Sequence, residues 1–402
     1  MTDEQPRCIA CAFDPFYSPE NNTLRGVKWS PDGLCLLTAS EDRRLRLFEL
    51  PEDALQDKAS STADDDDGVA HTQPELPCPL TVLEGDSVYD YQWYPLMDSS
   101  QPETCCFLSS SRDHPVRLWD AYTGTVRASY VAYNHLDEVT AAHSLAFDPS
   151  ASRLYCGFER AIRIFDVTRP GRECEVRQTC KTRKSRDGQR GVISCFAFAP
   201  DFSGLFAAGS FSGTTGLYVE GQPGLIFELG SHGGGVTQLS FNHDGTLLYS
   251  AARRDDHIRC WDVRMSCRVL ATYARRAPTN QKIGFELVGS ASEGLLTASQ
   301  DGRVLAFATA VHGADAVHGA DTIEAPPAHT LLTFGETTNA ATMHPSLPLM
   351  AVATGERRFV MAHSDSEDDG PVSAADGPCT NGLSVWRMPR PAAAEQPAAQ
   401  EG

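Results

Sequence analysis

The feature that most constrains the fold of this 402-residue chain is a short unit that returns seven times. Its clearest copy, WSPDGLCLLTASEDRRLRLFEL, opens with an aromatic-Pro-Asp-Gly turn and continues as a strand, a Ser/Asp tight turn and a second strand that ends on an aromatic residue. Repetition at this scale predicts an array of similar structural units. The seven copies begin at Trp29, Trp93, Phe147, Phe198, Phe241, Phe285 and Met343.

The unit has the pattern of a WD repeat, which ends in a Trp-Asp pair. That pair is retained at Trp119-Asp120 and Trp261-Asp262 and is softened to Phe-Glu or Phe-Asp in other copies. One unit forms a small twisted sheet that cannot bury both of its faces, whereas units stacked around an axis bury them and leave only short edges. The sequence therefore predicts an all-β fold, a seven-bladed WD40 β-propeller.

We expect residues 1–390 to form this propeller as a single domain and residues 391–402 to be a disordered tail. The segment Cys8 to Phe13 lies before the first unit and has strand character. It is predicted to supply the outer strand of the last blade, beside Leu383 to Met388, because a propeller must cover its last open edge to close the ring.

Charge is distributed unevenly along the chain. The formal net charge of −19 at pH 7 argues against a polyanionic partner if it is spread over the whole surface. Much of the excess, however, lies in two tracts rich in Asp, Ser, Ala and Pro, at about 52–79 and 362–378, which are predicted to be disordered insertions. The folded body is then only mildly acidic, so a nucleic-acid partner is not excluded.

Composition disfavours several other classes of protein. No apolar run reaches the roughly 20 residues of a membrane-spanning helix, and the N-terminus lacks the pattern of a secretory signal. Thirteen cysteines scattered through strand-like segments indicate free thiols rather than a disulfide framework. Cys8 and Cys11 form a CxxC, but no second pair follows at zinc-ligand spacing, so an edge strand is favoured over a metal or redox site. We expect neither a metal nor a cofactor.

In the fifth unit, His232, Ser250, Asp255 and Trp261 have the spacing of the hydrogen-bonded tetrad of WD repeats. A His, a Ser and an Asp also suggest a hydrolase. A structural role is favoured, because a buried His bonded to a Ser and to a turn Asp satisfies polar groups inside a blade. No GxSxG elbow, phosphate-binding Gly-rich loop or HExxH accompanies the four residues. We therefore predict no catalysis.

The stretch from Tyr133 to Phe158 combines two kinds of segment. HSLAF and RLYCGF have the pattern of strands and are predicted as inner strands of the third blade. NHLDEVTAA is polar and lacks alternation, so it is predicted to be a loop on one rim of the propeller, where binding residues tend to lie. His135 is either the tetrad histidine of this blade or a rim residue, and the sequence leaves both open.

Some segments between Asn21 and Trp386 are much more specific than the general repeat. They are EGDSVYDYQWYPLM (Glu84 to Met97), RLWDAYTGTVRASYVAYNHLDEVTAAHSLAF (Arg117 to Phe147), IRIFDVTRPGRECEV (Ile162 to Val176) and MHPSLPLMAVA (from Met343). In these segments the chain resembles the WD-repeat telomerase Cajal body protein family, and the resemblance covers nearly the whole chain.

The resemblance implies a non-catalytic adaptor. Members of the family bind the CAB box, a short element in the terminal loop of small Cajal body RNAs and of telomerase RNA, and direct these ribonucleoproteins to Cajal bodies. The implied partners are those RNAs and H/ACA ribonucleoprotein proteins, with a chaperonin for propeller folding and with no DNA or membrane. The implied location is the nucleus, in Cajal bodies, with a cytoplasmic pool also expected. The chain begins almost at the first blade, so localisation signals of the long N-terminal extension of animal members are expected to be absent.

A basic segment between the third and fourth blades gives such an RNA a landing site. It carries six bases against the single acid Asp187 and is expected on the same rim as NHLDEVTAA. We expect its bases to hold phosphates and nearby rim side chains to hold the unstacked bases of an RNA loop. The basic residues are Arg177, Lys181, Arg183, Lys184, Arg186 and Arg190, and the nearby residues are Arg127, Tyr133, Asn134 and His135.

The alternative is a peptide-binding WD40 scaffold, such as a ubiquitin-ligase or chromatin adaptor. Such a propeller also uses the rim, but it more often has Arg or Lys clustered with aromatic residues around the central channel, without a long basic insertion. The basic segment itself has two simpler interpretations, a solvated linker and a weak nuclear-import signal.

Overall fold

The structure is a computed structural model, and it describes residues 5–17, 22–51, 74–181, 188–222, 224–230, 232–264, 268–309, 323–325, 328–357 and 381–389. These residues form seven antiparallel sheets, together with a separate two-stranded hairpin and the short 3-10 helix Asp14–Phe16. The predicted seven-bladed all-β propeller is confirmed.

The strands follow the repeats of the sequence, and the first strand along the chain, β1 (Arg7–Ala12), belongs to the seventh blade. From the channel outward, blades 1 and 2 consist of β2 (Leu24–Trp29), β3 (Cys35–Ser40), β4 (Arg44–Glu49) and β5 (Leu80–Leu83), then β6 (Val88–Trp93), β7 (Cys106–Ser111), β8 (Val116–Asp120) and β9 (Val126–Tyr130). The separate hairpin follows as β10 (Ala132–Tyr133) and β11 (Val139–Thr140). Blades 3 and 4 consist of β12 (Ser144–Phe147), β13 (Arg153–Phe158), β14 (Ala161–Asp166) and β15 (Glu175–Gln178), then β16 (Ile193–Phe198), β17 (Leu205–Ser210), β18 (Thr215–Val219) and β19 (Phe227–Leu229).

The remaining blades continue this order. Blades 5 and 6 consist of β20 (Val236–Phe241), β21 (Leu247–Ala252), β22 (His257–Asp262) and β23 (Arg268–Ala274), then β24 (Phe285–Val288), β25 (Gly294–Ala298), β26 (Arg303–Ala308) and, after β27 (Ile323–Glu324), β28 (His329–Thr333). The short β27 adds to blade 5, parallel to β23. Blade 7 consists of β29 (Thr338–Met343), β30 (Leu349–Thr354), β31 (Gly382–Arg387) and β1.

The second strand of each blade lies deepest, because neighbouring blades cover it on both faces. Every residue of β7, β21 and β30 is buried. Large apolar side chains fill the wedges between blades. Tyr155 of blade 3, for instance, meets Phe206 of blade 4 with ring centroids 5.2 Å apart and an interplanar angle of 64°. The core is therefore a ring of inter-blade contacts, as expected when no single sheet buries both of its faces.

The two ends of the chain meet in blade 7, as predicted. β1 pairs antiparallel with β31, with Cys11 opposite Ser384. The chain returning from the first acidic tract also touches this strand, because Cys11 N–H donates to Pro74 O over 3.0 Å and Leu76 N–H donates to Cys11 O over 2.8 Å. Leu76 is 1% exposed. The predicted disordered insertion 52–79 therefore extends too far, because its last residues pack on the propeller; residues 52–73 and 362–378 lie outside the described part.

The strand directions define two ends of the propeller. Adjacent strands are antiparallel, so the connections that enter each innermost strand and the turns that leave each second strand lie at one end of the channel. The hairpin β10–β11 precedes β12 and the basic segment precedes β16, so both connect to this end. We call it the upper end, and the opposite end the lower end.

The part of the chain that the structure describes has neither a membrane-spanning helix nor a cluster of metal ligands. None of its helices has the length and apolar character needed to cross a bilayer. Within the same residues, no three His, Cys, Asp or Glu side chains are grouped as a metal site requires. The cysteines there are free thiols, and those of the CxxC, Cys8 and Cys11, lie on the outer strand β1.

Candidate functional site

The stretch NHLDEVTAA begins as a small hairpin rather than an open loop. β10 and β11 pair antiparallel, with Tyr133 opposite Val139. Asn134 closes the turn, because its Oδ1 accepts hydrogen bonds from the N–H groups of Leu136 (2.8 Å) and Glu138 (3.0 Å), while its Nδ2 donates to Glu138 Oε2 over 2.9 Å. Sequence analysis missed the hairpin because two-residue strands leave no alternation to detect. We call residues 132–140 the rim hairpin.

The base of the rim hairpin is anchored to blade 3, and its tip is displayed. The guanidinium of Arg172 lies 5.0 Å from the centroid of the Tyr133 ring. Arg163 Nη2 donates to the carbonyl oxygen of Tyr133 over 2.6 Å. His135 and Leu136 are exposed at the tip, Leu136 by 64%. His135 is therefore a rim residue and not the buried tetrad histidine of its blade.

Hydrogen bonds and a β-bridge hold the two described ends of the basic segment in place, and these ends form its fixed base. Gln189 is fully buried, and its Nε2 donates to Ala208 O over 2.8 Å. Cys180 and Gly188 form an isolated β-bridge. Gly188 has a φ of 91°, and a Cβ there would come within 2.2 Å of a backbone oxygen of the opposite segment, so the turn requires glycine. We call residues 177–190 the basic loop.

The bases of this loop differ in their placement. Lys181 and Arg190 are exposed on its fixed base. Arg177 is buried within β15 and its Nε donates to Glu175 Oε1 over 2.6 Å, so it is a structural residue. The other three bases, Arg183, Lys184 and Arg186, lie outside the described residues.

Arg127 does not belong with these residues, which corrects the prediction from sequence. It lies near the start of β9, whereas the rim hairpin follows the end of that strand. Its Nε donates to Asp120 Oδ2 over 2.9 Å, and its two terminal nitrogens donate to the carbonyls of Glu103 (2.6 Å) and Pro102 (2.8 Å). The guanidinium thus ties together the lower end of blade 2. Proximity along the chain misled the sequence argument, because a strand carries its two ends to opposite faces.

The four residues of the fifth repeat form a buried chain of hydrogen bonds. Asp255 Oδ2 lies 2.8 Å from His232 Nδ1, and His232 Nε2 lies 2.7 Å from Ser250 Oγ. Trp261 Nε1 donates to the same hydroxyl over 2.8 Å. Burial lowers the pKa of His232 in spite of the bond with Asp255, so the imidazole is neutral at pH 7. Ser250 is fully buried, so its hydroxyl cannot reach a substrate.

Blade 2 has a similar buried hydrogen-bond network, in which a carboxylate takes the place of the imidazole. Glu84 is 2% exposed and accepts hydrogen bonds from the hydroxyls of Ser109 and Ser111. Its Oε2 also accepts from Arg117 Nη1 over 2.8 Å, while Trp119 Nε1 donates to Ser109 Oγ over 2.7 Å. Blades 2 and 5 therefore share a buried network of hydrogen-bonded polar side chains, and not a set of reactive groups.

A feature that the sequence analysis missed lies at the upper end of the central channel, a cavity of about 810 Å³ lined by the innermost strands of the blades. Two pairs of planar side chains project there. Tyr89 of blade 2 stacks on His143, with ring centroids 4.7 Å apart and an interplanar angle of 22°. The guanidinium of Arg253 in blade 5 lies 4.3 Å from the centroid of the Phe211 ring in blade 4. Tyr89 and Phe211 are each 37% exposed.

These pairs are surrounded by further arginines. Arg25 Nη2 lies 2.8 Å from Glu41 Oε2, and Arg357 Nε lies 3.9 Å from Glu41 Oε1, so two cations share one carboxylate. Arg112 is exposed beside them. We call this group the channel mouth, and it consists of Arg25, Glu41, Tyr89, Arg112, His143, Phe211, Arg253 and Arg357. Its cations outnumber its carboxylate, but acids lie beside the group: Arg112 Nε is 3.5 Å from Asp113 Oδ2, and Glu159 interacts with His143.

Deeper in the channel, two charged groups face a drier environment. Burial lowers the pKa of Lys28 to about 8, against the attraction of Asp90, whose Oδ1 lies 3.9 Å away. Burial also raises the pKa of Glu286 to about 7, although the carboxylate accepts a hydrogen bond from the N–H of Met343 over 2.7 Å. Both shifts favour the neutral forms, and near pH 7 the shift of Glu286 reduces the negative charge of the channel wall.

Each pair of planar side chains in the channel mouth lies next to one of the two segments that the sequence singled out. Phe211 N–H donates to Val192 O over 2.9 Å, two residues after the basic loop. Ser212 Oγ donates to the carbonyl of Arg190 over 2.7 Å. On the other side, His143 follows the rim hairpin after two residues. The rim hairpin enters blade 3 and the basic loop leaves it, so blade 3 separates the two segments. The turn after its second strand contacts the basic loop, because Thr179 N–H donates to Arg160 O over 3.0 Å.

Comparison with known proteins agrees with this architecture. The family described as "WD domain, G-beta repeat" matches residues 10–49 and 224–262. The chain is 42% identical over 365 residues to "Telomerase Cajal body protein 1" of Mesocricetus auratus and 41% identical over 365 residues to the Homo sapiens protein of the same name. It is 32% identical over 378 residues to "Telomerase Cajal body protein 1 homolog" of Drosophila melanogaster.

These alignments cover the chain and its relatives unequally. They include 91% of this chain for the two mammalian proteins and 92% for the Drosophila protein, but the chain spans only 64%, 62% and 62% of the length of these three relatives. Through this propeller, the chain belongs to the telomerase Cajal body protein family of WD-repeat proteins.

Proposed function

We propose that the chain is a non-catalytic RNA-binding adaptor that recognises the CAB box of small Cajal body RNAs and of telomerase RNA. The observation that carries this proposal is the identity of 41–42% to proteins named for telomerase and the Cajal body, over a propeller whose upper end bears cations and planar side chains. An RNA loop offers phosphates for the cations and unstacked bases for planar groups.

The positions of the residues indicate which of them would contact phosphates and which would contact bases. Lys181 and Arg190 are exposed at the fixed base of the basic loop, and Arg183, Lys184 and Arg186 extend the same run of positive charge. These residues would hold phosphates, which fixes position without reading sequence. Tyr133 and His135 on the rim hairpin would contact bases. Asn134 would act indirectly, because its amide already holds the turn of the hairpin.

The names of the relatives also support a cellular role. We propose that the chain acts in the nucleus and directs bound ribonucleoproteins to Cajal bodies. H/ACA ribonucleoprotein proteins would then be its neighbours in the assembled particle, and a chaperonin would assist folding of the seven-bladed ring.

A second candidate function is a peptide-binding scaffold, and one observation favours it. The channel mouth has the cluster of arginines with aromatic side chains that such a scaffold uses, shown by Arg253 on Phe211 and by Arg112 beside Tyr89. An acidic peptide would satisfy the same cations. This function and RNA binding make different demands on the loops, since a peptide held at the channel needs neither the rim hairpin nor the basic loop.

A binding measurement tests the proposed function. The purified chain is titrated with a CAB-box hairpin RNA and with a hairpin of equal length whose loop is scrambled, at two salt concentrations. We expect the CAB-box hairpin to bind about tenfold or more tightly, because one good base contact is worth about 1–3 kcal/mol. Equal affinity for the two hairpins would contradict CAB-box recognition, and no binding to either would contradict RNA binding altogether.

A further inference from the structure

We infer that the channel mouth is a base-stacking site, where the Phe211–Arg253 and Tyr89–His143 pairs take unpaired bases of the bound RNA. This inference rests on the proposed RNA-binding function and names a part of the surface that neither the repeats nor the relatives assign.

The first stacking platform is the Phe211–Arg253 pair, in which a cation stacks on an aromatic ring. The Arg253 guanidinium covers one face of Phe211 at 4.3 Å from the centroid, and Phe211 remains 37% exposed. Arg253 Nε is buried and has no hydrogen-bond partner among the described residues. A purine or pyrimidine has a flat face that can stack on the exposed part of this ring.

The second platform is a neutral stack. Tyr89 and His143 are nearly parallel at 22°, and they come from neighbouring blades, so the wedge between blades 2 and 3 holds them in position. Burial lowers the pKa of His143, which keeps the imidazole uncharged at pH 7. Tyr89 is 37% exposed, so part of its ring is open to a further planar group. Because every base has a flat face, such a surface binds bases without regard to sequence.

The charge around the platforms fits a polyanion. Arg112 is exposed next to Tyr89, with its Nε 3.5 Å from Oδ2 of the exposed Asp113. Arg25 and Arg357 share Glu41 as a common carboxylate, so there two cations face one anion. Positive charge is conspicuous on a chain whose formal net charge is −19. Arginine beside an aromatic ring is the combination that holds a phosphate and stacks a base in one nucleotide.

Each platform adjoins one of the two loops, which favours RNA over an acidic peptide. Phe211 is hydrogen-bonded through its N–H to Val192, just beyond the basic loop, and Ser212 is bonded to the carbonyl of Arg190. His143 follows the rim hairpin after two residues. The Tyr89–His143 platform therefore adjoins the rim hairpin, and the Phe211–Arg253 platform adjoins the basic loop. A peptide confined to the channel would leave both loops unused.

The test replaces one aromatic ring at a time with leucine, which removes the planar surface and keeps an apolar side chain. Phe211→Leu and Tyr89→Leu are compared with Phe202→Leu, which changes an exposed Phe of blade 4 at the lower end. The probes are the CAB-box hairpin and a series of the same hairpin with one loop nucleotide made abasic in each. We expect Phe211→Leu and Tyr89→Leu each to weaken binding of the intact hairpin about tenfold. Phe202→Leu should bind as the wild type does.

The abasic series makes the result specific. For each platform one abasic position should weaken wild-type binding by a similar factor, and at that position the Leu variant should cause no further loss. Photocrosslinking of 4-thiouridine in the loop of the wild-type complex should also map to Phe211 or Tyr89, which does not depend on any variant folding.

The outcomes separate this inference from the proposed function. If the wild type prefers the CAB-box hairpin over the scrambled one while both Leu variants bind like the wild type and crosslinks fall elsewhere, the stacking site is wrong and the RNA adaptor stands. If the wild type binds no RNA, both are wrong. If a Glu-rich peptide displaces nothing from the RNA complex yet its own binding is lost in Phe211→Leu, the channel mouth is a peptide site and the inference is overturned.

Discussion

Cys11 of the first strand lies opposite Ser384 of the last, so one sheet contains both ends of the propeller. The buried residues Ala10 and Ala12 of the same strand pack into the core of blade 7, where Leu383 and Val385 are also fully buried. The ring is thus closed by pairing of segments far apart in sequence. Its integrity depends on a short strand near the N-terminus.

Removing that strand should destabilise the whole propeller. Deletion of residues 1–13 would expose the edge of β31 and remove the apolar contacts of β1, so we expect the melting temperature to fall by about 5 °C or more. Deletion of residues 1–6, which ends just before β1, is the matched control and should change little. An unchanged melting temperature for the longer deletion would show that another segment closes the ring.

The tetrad of the fifth repeat should contribute to stability and not to activity. Ser250→Ala removes the hydroxyl that both His232 and Trp261 use, which leaves two buried polar nitrogens without their partner. We expect a loss of about 2–4 kcal/mol in the free energy of unfolding, measured by denaturant titration. Ser203→Ala, at an exposed turn of blade 4, should cost less than about 0.5 kcal/mol. Equal losses for the two variants would contradict a structural role for the tetrad.

The fold was predictable because each repeat carries its own local signals. A turn, two strands and a terminal aromatic residue recur in each copy, and stacking the copies is the way to bury both faces of each sheet. Even ring closure followed, since Cys8 to Phe13 had strand character and no partner of its own. The rim hairpin did not follow, because the side-chain bonds of Asn134 hold its turn and two-residue strands carry no periodic pattern.

The channel mouth was harder to predict because its members come from different repeats. Each turn residue directly after a second strand lies at the upper end, and from blade 1 to blade 7 this position is Glu41, Arg112, Glu159, Phe211, Arg253, Ser299 and Gly355. No single repeat shows the cluster. Even across the repeats, the two arginines and one aromatic residue at this position are mixed with two glutamates. Arg127 was misassigned because it is close to the rim hairpin in sequence but lies at the opposite end of strand β9.

Glu286 should make stability depend on pH. Its folded-state pKa of about 7 lies above the usual 4.5, so the folded protein holds a proton that the unfolded chain has released between these values. The free energy of unfolding should therefore fall as pH rises through this window, by on the order of 2 kcal/mol. Glu286→Gln should resemble the wild type at pH 5 and be more stable at pH 8. Exposed Glu173→Gln controls for the loss of a carboxylate, and a Glu286→Gln effect that is equal at both pH values would contradict the burial argument.

Tyr133 should affect discrimination between RNAs. Its ring lies beside Arg172 at the base of the rim hairpin, so Tyr133→Leu removes a planar surface without removing charge. We expect binding of the CAB-box hairpin to weaken about tenfold, binding of the scrambled hairpin to change less, and the salt dependence of both to stay the same. Tyr122→Leu alters a Tyr that is 58% exposed at the lower end of blade 2 and should have no effect. Equal weakening toward the two hairpins would place Tyr133 outside base recognition.

The basic loop should contribute affinity without sequence preference. If Arg183, Lys184 and Arg186 hold phosphates, changing all three to Ala removes three ion contacts and should weaken binding to the CAB-box and scrambled hairpins alike. The slope of log affinity against log salt should flatten by about 0.7 for each lost contact, or about two in all. The matched control changes three exposed arginines at the lower end to Ala, which alters net charge equally, namely Arg153, Arg169 and Arg264. Since a general loss of positive charge would flatten both slopes, only a change confined to the loop variant supports phosphate binding there. Unchanged affinity and slope in the loop variant, with an unchanged melting curve, would make the loop a solvated linker.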